Sequence, residues 1–258
     1  MNRQIVFIIL FIVTTITVNG QAPNFFGKPP IKYEKTEFFG VQLKVSPEIV
    51  QTLLPSELKL IDSTSIHISF SKLTYDSKDK AASEYHEVGI AVTRSSINDK
   101  EGPFINMMYV DQYAATIAGR EIWGFPKVNG EITFEKNEKE IKLELKRFGK
   151  SLIKIVATLN EVTDTNVHDN GKAEGFILKT IPSVTGDKLP ALKRINSYVT
   201  RDGKSWGHQK AEITSIVYSP SLENYLPNLG DFEVLNADFS ISKGLLDYGK
   251  VEYDYLKK

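Results

Sequence analysis

The stretch GEITFEKNEKEIKLELKRFGKSLIKIVATL, residues 130–159, carries the periodicity that decides the fold. Ile132 and Phe134 alternate with polar neighbours, as do Ile141, Leu143 and Leu145, and residues 152–159 are mostly apolar. Side chains on a strand point alternately to its two faces, so a period of two buries one face and wets the other. Asn137 and the run Phe148-Gly149-Lys150 fall where two turns are needed. The pattern predicts a three-strand antiparallel meander. The lysines interleaved over residues 142–154 then line its solvent face, which accounts for them without a nucleic acid.

On either side of the meander the chain reads the same way. Strands are expected over residues 65–73, 88–92, 104–110, 175–181, 211–218 and 234–242. Two short helices interrupt them. One covers residues 46–54, with Ser46 as N-cap, Pro47 at the first helical position, Glu48 at the positive end of the dipole and Pro55 ending it. The other covers residues 111–121 and is expected to end at or near Gly119. Residues 75–84 are charged and read as a loop. Many short strands and few helices predict a mainly β, single-domain antiparallel β-barrel or cone-like fold. No repeat, low-complexity block or domain boundary divides it.

Composition narrows the function. Lys+Arg and Asp+Glu are 32 each, so no net field favours nucleic acid or anionic lipid. The N-terminus reads as a secretory signal: Arg3 is the positive flank, residues 5–18 are apolar, and Val18 and Gly20 suit the cleavage positions. Residues 1–20 are thus expected to be a signal peptide, 21–32 a linker and 33–258 the folded domain. That places the mature chain outside the cytoplasm, secreted or periplasmic, with no membrane span after cleavage; an uncleaved anchor is the alternative. The chain has no cysteine, so it holds together without disulfides.

His67, His86, His168 and His208 show no metal-ligand spacing, though His86 stands next to Glu87. Glycine-rich nucleotide loops and the serine nucleophile elbow do not occur, so neither a metal nor a cofactor is expected. What stands out is Lys127 in Gly119-Arg120-Glu121-Ile122-Trp123-Gly124-Phe125-Pro126-Lys127. An amine is a nucleophile only when neutral. At a reference pKa of about 10.4 roughly one lysine in a few thousand is neutral at pH 7. Desolvation or a nearby cation raises that fraction, and Trp123, Phe125 and Pro126 are apolar material for a dry wall.

The order Met107-Met108-Tyr109-Val110-Asp111, Gly119-Arg120-Glu121, Phe125-Pro126-Lys127 resembles the central segment of the acetoacetate decarboxylase family. Pro55-Ser56-Glu57-Leu58, Tyr85-His86-Glu87, Lys179-Thr180-Ile181-Pro182 and Val251-Glu252-Tyr253-Asp254-Tyr255-Leu256-Lys257 resemble further segments of it, so the likeness runs from about Tyr33 to the end. Acetoacetate decarboxylase is itself the usual illustration of a lysine activated by a neighbouring cation. The resemblance implies that Lys127 forms a Schiff base with a small β-keto acid or ketone. It implies that Glu87 is a pocket carboxylate that positions a proton or a water. Arg120 and Glu121 are expected as a buried ion pair beneath the site. Met107, Met108, Tyr109 and Phe125 are expected in the pocket or the core beside it. It also implies a homo-oligomer.

Three positions depart from the family pattern. Val128 stands in place of a second lysine, Ser71 in place of a second pocket glutamate, and Thr36, beside Lys35, in place of an arginine that meets a substrate carboxylate. Three functions remain open on these residues: decarboxylation of acetoacetate or a related β-keto acid; a Schiff-base aldolase or dehydratase acting on another keto substrate; or a non-enzymatic exported barrel that binds a small ligand.

Overall fold

A computed structural model describes residues 28–61, 65–76, 83–162, 164–186 and 188–257. The expected signal peptide and most of the expected linker lie outside the described residues. The chain enters with β1 (Ile31–Lys44), α1 (Pro47–Leu53), β2 (Lys59–Leu60), β3 (Ser65–Tyr75), β4 (Glu84–Ile97) and β5 (Lys100–Val110). Then come α2 (Tyr113–Ala118), a π-helical turn (Gly119–Trp123) and β6 (Lys127–Asn129). The meander is β7 (Glu131–Lys136), β8 (Glu140–Arg147) and β9 (Lys150–Leu159). The long strands β10 (His168–Ile181), β11 (Leu192–Tyr218) and β12 (Glu233–Asp247), with the short β13 (Val251–Asp254), complete it.

The sheet closes on itself. Neighbours run β10, β5, β4, β3, β1, β12, β11, and β11 pairs back to β10. All seams of this ring are antiparallel except that between β5 and β10, a single parallel pair, Phe176 with Phe104. Its first half pairs β11 with β10; its second half leaves the ring and pairs Ala211 through Tyr218 with β9. The predicted three-strand antiparallel meander therefore exists and hangs from β11.

Alternation sorts the ring's two faces. Phe239, Phe39, Phe70, Val88 and Tyr109 form one row across five strands, each paired with the next, and all are buried. Ile141, Leu143, Leu145, Ile153 and Ile155 of the meander close over the same core. Full burial of each stabilises the fold by roughly 2 kcal/mol. Lys142 and Lys154 alternate with them and are exposed, as the period requires. The residues between the core positions, among them Ser71, Glu87 and Met108, face the other way.

The helix at residues 46–54 is found nearly as expected, with Ser46 Oγ accepting from the Ile49 N–H at 3.4 Å. The second α-helix ends at Ala118 with Gly119 as its C-cap, as expected; Gly119 keeps a right-handed backbone (φ −59°, ψ −42°), so the chain runs on as a π turn to Trp123, and Gly124 (φ 98°) makes the left-handed stop. The strand stretches that were not expected include β1, the first halves of β10 and β11, and the short β2 and β6.

Candidate active site

The π turn delivers Lys127. Gly124 and Phe125 both donate their N–H to the Gly119 carbonyl, at 2.9 and 3.0 Å. The carbonyls of Glu121 and Ile122, farther along the turn, accept from the Lys179 ammonium on β10. Burial, then the charge of Arg194, lowers the pKa of Lys179. Trp123 Nε1 donates to the Asp247 carbonyl at 2.7 Å, and Asn196 Nδ2 donates to the Trp123 carbonyl at 2.8 Å. With the turn fixed to three strands, β6 lies parallel to β5 and sets Lys127 opposite Met108.

Lys127 is 6% exposed. Its Nζ donates to Glu87 Oε2 at 3.0 Å and lies 5.6 Å from the ring centroids of both Tyr85 and Phe125. Gly119 makes room for it: a Cβ there would fall 2.7 Å from Lys127 Cδ and 2.9 Å from Cε. Tyr33 and Tyr85 share a hydroxyl–hydroxyl bond of 3.1 Å. Burial raises the pKa of Tyr33, Tyr85 and Tyr198, and the nearby Glu87 charge adds to it in all three. These phenols are therefore neutral and able to donate hydrogen bonds.

Lys127, Glu87, Tyr33 and Tyr198 open onto a cavity of about 360 Å³ whose wall includes Met108 and Phe125. That is within the usual size range of small-molecule sites. A second apolar cluster of Met108, Trp123, Phe125, Ile177 and Leu246 packs around it, separate from the main core.

The expected site residues divide. Lys127, Glu87 and Phe125 meet at the cavity. Met107 belongs to the main core instead, and Met108, one residue on, takes the cavity face. Arg120 and Glu121 do not form the buried ion pair expected of them. Both are exposed, since consecutive residues of a helical turn do not face each other. Arg120 acts on the backbone, its Nη1 donating to the Lys127 carbonyl at 3.0 Å. His86 lies outside the cavity lining and holds Asp111, Nδ1 to Oδ2 at 2.7 Å.

The three departures are also placed. Val128 packs against the main core, on the strand face opposite Lys127, so the exchange at 128 leaves the amine's own surroundings intact. Ser71 is buried and paired in register with Glu87. Thr36 lines the cavity. Lys35, its neighbour, does not substitute for the arginine; it pairs with Glu37, Nζ to Oε1 at 2.5 Å. Sequence reasoning missed Tyr33, Tyr198 and the purpose of Gly119. Tyr85 was within reach, since it stands two residues from Glu87 and so shares its face.

A buried amine, a carboxylate within hydrogen-bond distance, neutral phenols and an apolar wall are the parts that imine chemistry uses. The family model described as acetoacetate decarboxylase (ADC) matches residues 15–256. Acetoacetate decarboxylase of Burkholderia ambifaria is 24% identical over 230 residues, covering 88% of this chain and 90% of that one. Acetoacetate decarboxylase of Chromobacterium violaceum is 27% identical over 233 residues, covering 89% and 91%. The crystal structure of acetoacetate decarboxylase from Legionella pneumophila superposes with a TM-score of 0.77 at 23% identity, over 94% of this chain and 95% of that one. The enduracididine biosynthesis enzyme MppR superposes with a TM-score of 0.73 at 16% identity, over 90% of each chain. By its sequence, its closed sheet and the match along nearly its whole length, this chain belongs to the acetoacetate decarboxylase family.

Proposed function

We propose that this protein is a Schiff-base lyase that decarboxylates acetoacetate or a related β-keto acid through an imine on Lys127. The observation that carries the reading is the buried Lys127 amine, 3.0 Å from Glu87 at the wall of the cavity. Glu87 takes a proton from Lys127, and the neutral amine attacks the ketone carbon. Loss of water gives a protonated imine. The bond to the carboxylate carbon breaks, its electron pair moves toward the imine nitrogen, and CO2 leaves. The enamine then takes a proton at carbon, and water releases the ketone and the free amine. Glu87 and the neutral phenols of Tyr33 and Tyr85 are the proton donors within this reading.

A second reading has specific support. Thr36 and Ser71 remove a cation and an acid at positions where the family pattern has them. MppR, which shares the fold, has been solved with the condensation product of pyruvate and imidazole 4-carboxaldehyde. An aldolase or dehydratase would use the same imine and direct the enamine to a carbonyl carbon or to loss of water. The N-terminal pattern adds export to the proposal; the mature protein is expected to begin at Gln21, which N-terminal sequencing of secreted material checks.

Intact mass after acetoacetate and borohydride, beside Lys127→Ala, tests the imine. A reduced adduct in the parent chain and none in the variant is the expected outcome, and an adduct lacking the carboxylate favours decarboxylation over condensation. No adduct with acetoacetate or any ketone of a panel would sink both enzyme readings and leave a ligand-binding barrel.

A further inference from the structure

At the cavity mouth one amide is held in place by a chain of polar groups that the imine chemistry does not use. Asn170 lies on β10 where the pairing with β11 slips between Asp169 and Gly171. A bulge of this kind re-aims a side chain, and Asn170 lines the cavity. Unlike the buried Lys127 it is exposed, so Lys127 marks the floor and Asn170 the mouth. Its Oδ1 accepts from Ser205 Oγ at 3.2 Å. Ser205 is buried, and its Oγ lies 3.1 Å from His208 Nε2. His208 in turn packs edge-on against His168, centroids 5.5 Å apart, whose Nε2 is 2.7 Å from Asp164 Oδ2.

This chain fixes the amide's direction. The Ser205 hydroxyl gives its proton to Asn170 Oδ1, so the serine oxygen accepts from His208 Nε2–H. With Oδ1 engaged, the two N–H bonds of Asn170 Nδ2 are the end left for a ligand, and no hydrogen bond from Nδ2 is formed to any described residue. Ser205, Ser242 and Thr36 stand in one register row across β11, β12 and β1, and Ser242, Thr36 and Lys243 line the same cavity. The same lining holds the apolar side chains of Ile105, Met108 and Leu246.

We propose that Asn170 is a specificity-determining residue: its amide donates to an acceptor oxygen, a carboxylate in the natural substrate, on the part of a keto acid farthest from the imine. This rests on the Schiff-base reading for the position of the reacting ketone. It assigns the substrate class as a keto acid with an acid group set apart from the reacting ketone, which a β-keto acid meets only by carrying a second carboxylate. With Lys243 of the same lining it also supplies a partner for the acid that Thr36 and the outward-turned Lys35 do not.

The probes are 4-oxopentanoate and 2-pentanone, methyl ketones of nearly one shape that differ in the terminal carboxylate. Calorimetry gives the ratio of their affinities, and borohydride trapping at Lys127 reads the imine separately. The parent protein is expected to prefer 4-oxopentanoate. The preference should fall about tenfold in Asn170→Ala, by the usual worth of a hydrogen bond to a charged group. It should fall further in Asn170→Asp, which keeps the shape and repels the carboxylate, and about threefold in Ser205→Ala, which only frees the amide to turn. No preference in the parent protein, no binding of 4-oxopentanoate, or a ratio unmoved in both Asn170 variants would overturn the proposal. A ratio that falls as expected while neither probe is trapped would instead sink the imine and leave Asn170 its role.

Discussion

At Gly119 a missing side chain makes the room in which the Lys127 stem lies. Alanine there would suit the helix by about 1 kcal/mol, yet its Cβ would lie 2.7 Å from Lys127 Cδ. A flexible side chain can move, so the conflict is resolved by displacing the amine rather than unfolding the turn. Gly119→Ala is therefore expected to keep its melting temperature within a few degrees and to lose on the order of a hundredfold in adduct formation at Lys127, read by borohydride trapping beside a thermal scan. Glu87→Gln makes the complementary test. It keeps the volume and removes the charge facing a buried ammonium, which costs roughly 3 kcal/mol, seen as a lower urea midpoint at neutral pH. Turnover should fall about a hundredfold as the proton acceptor is lost. Lys127 itself was legible because its neighbours Phe125 and Pro126 advertise a dry setting. Met107 and Met108 were not separable, since only the register of β5 against β4 says which of two adjacent residues faces the cavity. The ion pair expected of Arg120 and Glu121 rested on the resemblance alone; here both are exposed, and Arg120 holds the Lys127 carbonyl instead.

Among the elements, the meander was readable because each of its strands buries one face and wets the other. β1 was not, since its first half, Ile31-Lys32-Tyr33-Glu34-Lys35-Thr36-Glu37, mixes charges into both faces and a bulge breaks its period near Tyr33. The first half of β11 hid for the same reason, with register shifts between Arg201 and Lys204 and between Trp206 and Gln209. The seam between β5 and β10 shows why glycine recurs where strands crowd. A Cβ on Gly102 would lie 2.4 Å from the Glu174 carbonyl oxygen, and one on Gly175 would lie 2.4 Å from the Tyr198 hydroxyl oxygen. Backbone cannot retreat as a ring can. Gly102→Ala is expected to cost about 3 kcal/mol or more in urea unfolding. Gly175→Ala should cost less stability and instead weaken ligand binding in the cavity, where Tyr198 is part of the wall.

For the molecule as a whole, closure of the ring was expected only as a class of fold. Which strand meets which is decided by contacts far apart in sequence, such as β1 with β12, and no local period encodes them. Burying three phenols around Lys127 and Glu87 has a consequence for alkaline stability. Tyr33, Tyr85 and Tyr198 have folded-state pKa values raised above the ordinary value of 10.0. A group raised on folding contributes stability that is whole below the unfolded-state pKa and is lost as pH climbs toward the folded one. Unfolding free energy should thus be flat up to about pH 10 and then fall, each raised phenol adding about 1.4 kcal/mol per pH unit, with Tyr109, Tyr218 and Tyr255, also raised by burial, contributing in the same direction. Urea titrations through that range check it, and Tyr198→Phe should soften the slope by about 1.4 kcal/mol per pH unit.

One strand, β11, belongs to both the ring and the meander, and its 27 residues pass between them without a loop. The protein consequently has no joint at which it can be taken apart. A cut within β11 would leave each fragment holding part of a sheet whose edge lies in the other. Recombination with a relative cannot exchange the cavity wall while keeping the core, and variation is channelled into hairpin tips such as those at Glu138 and Gly149, where added residues disturb neither.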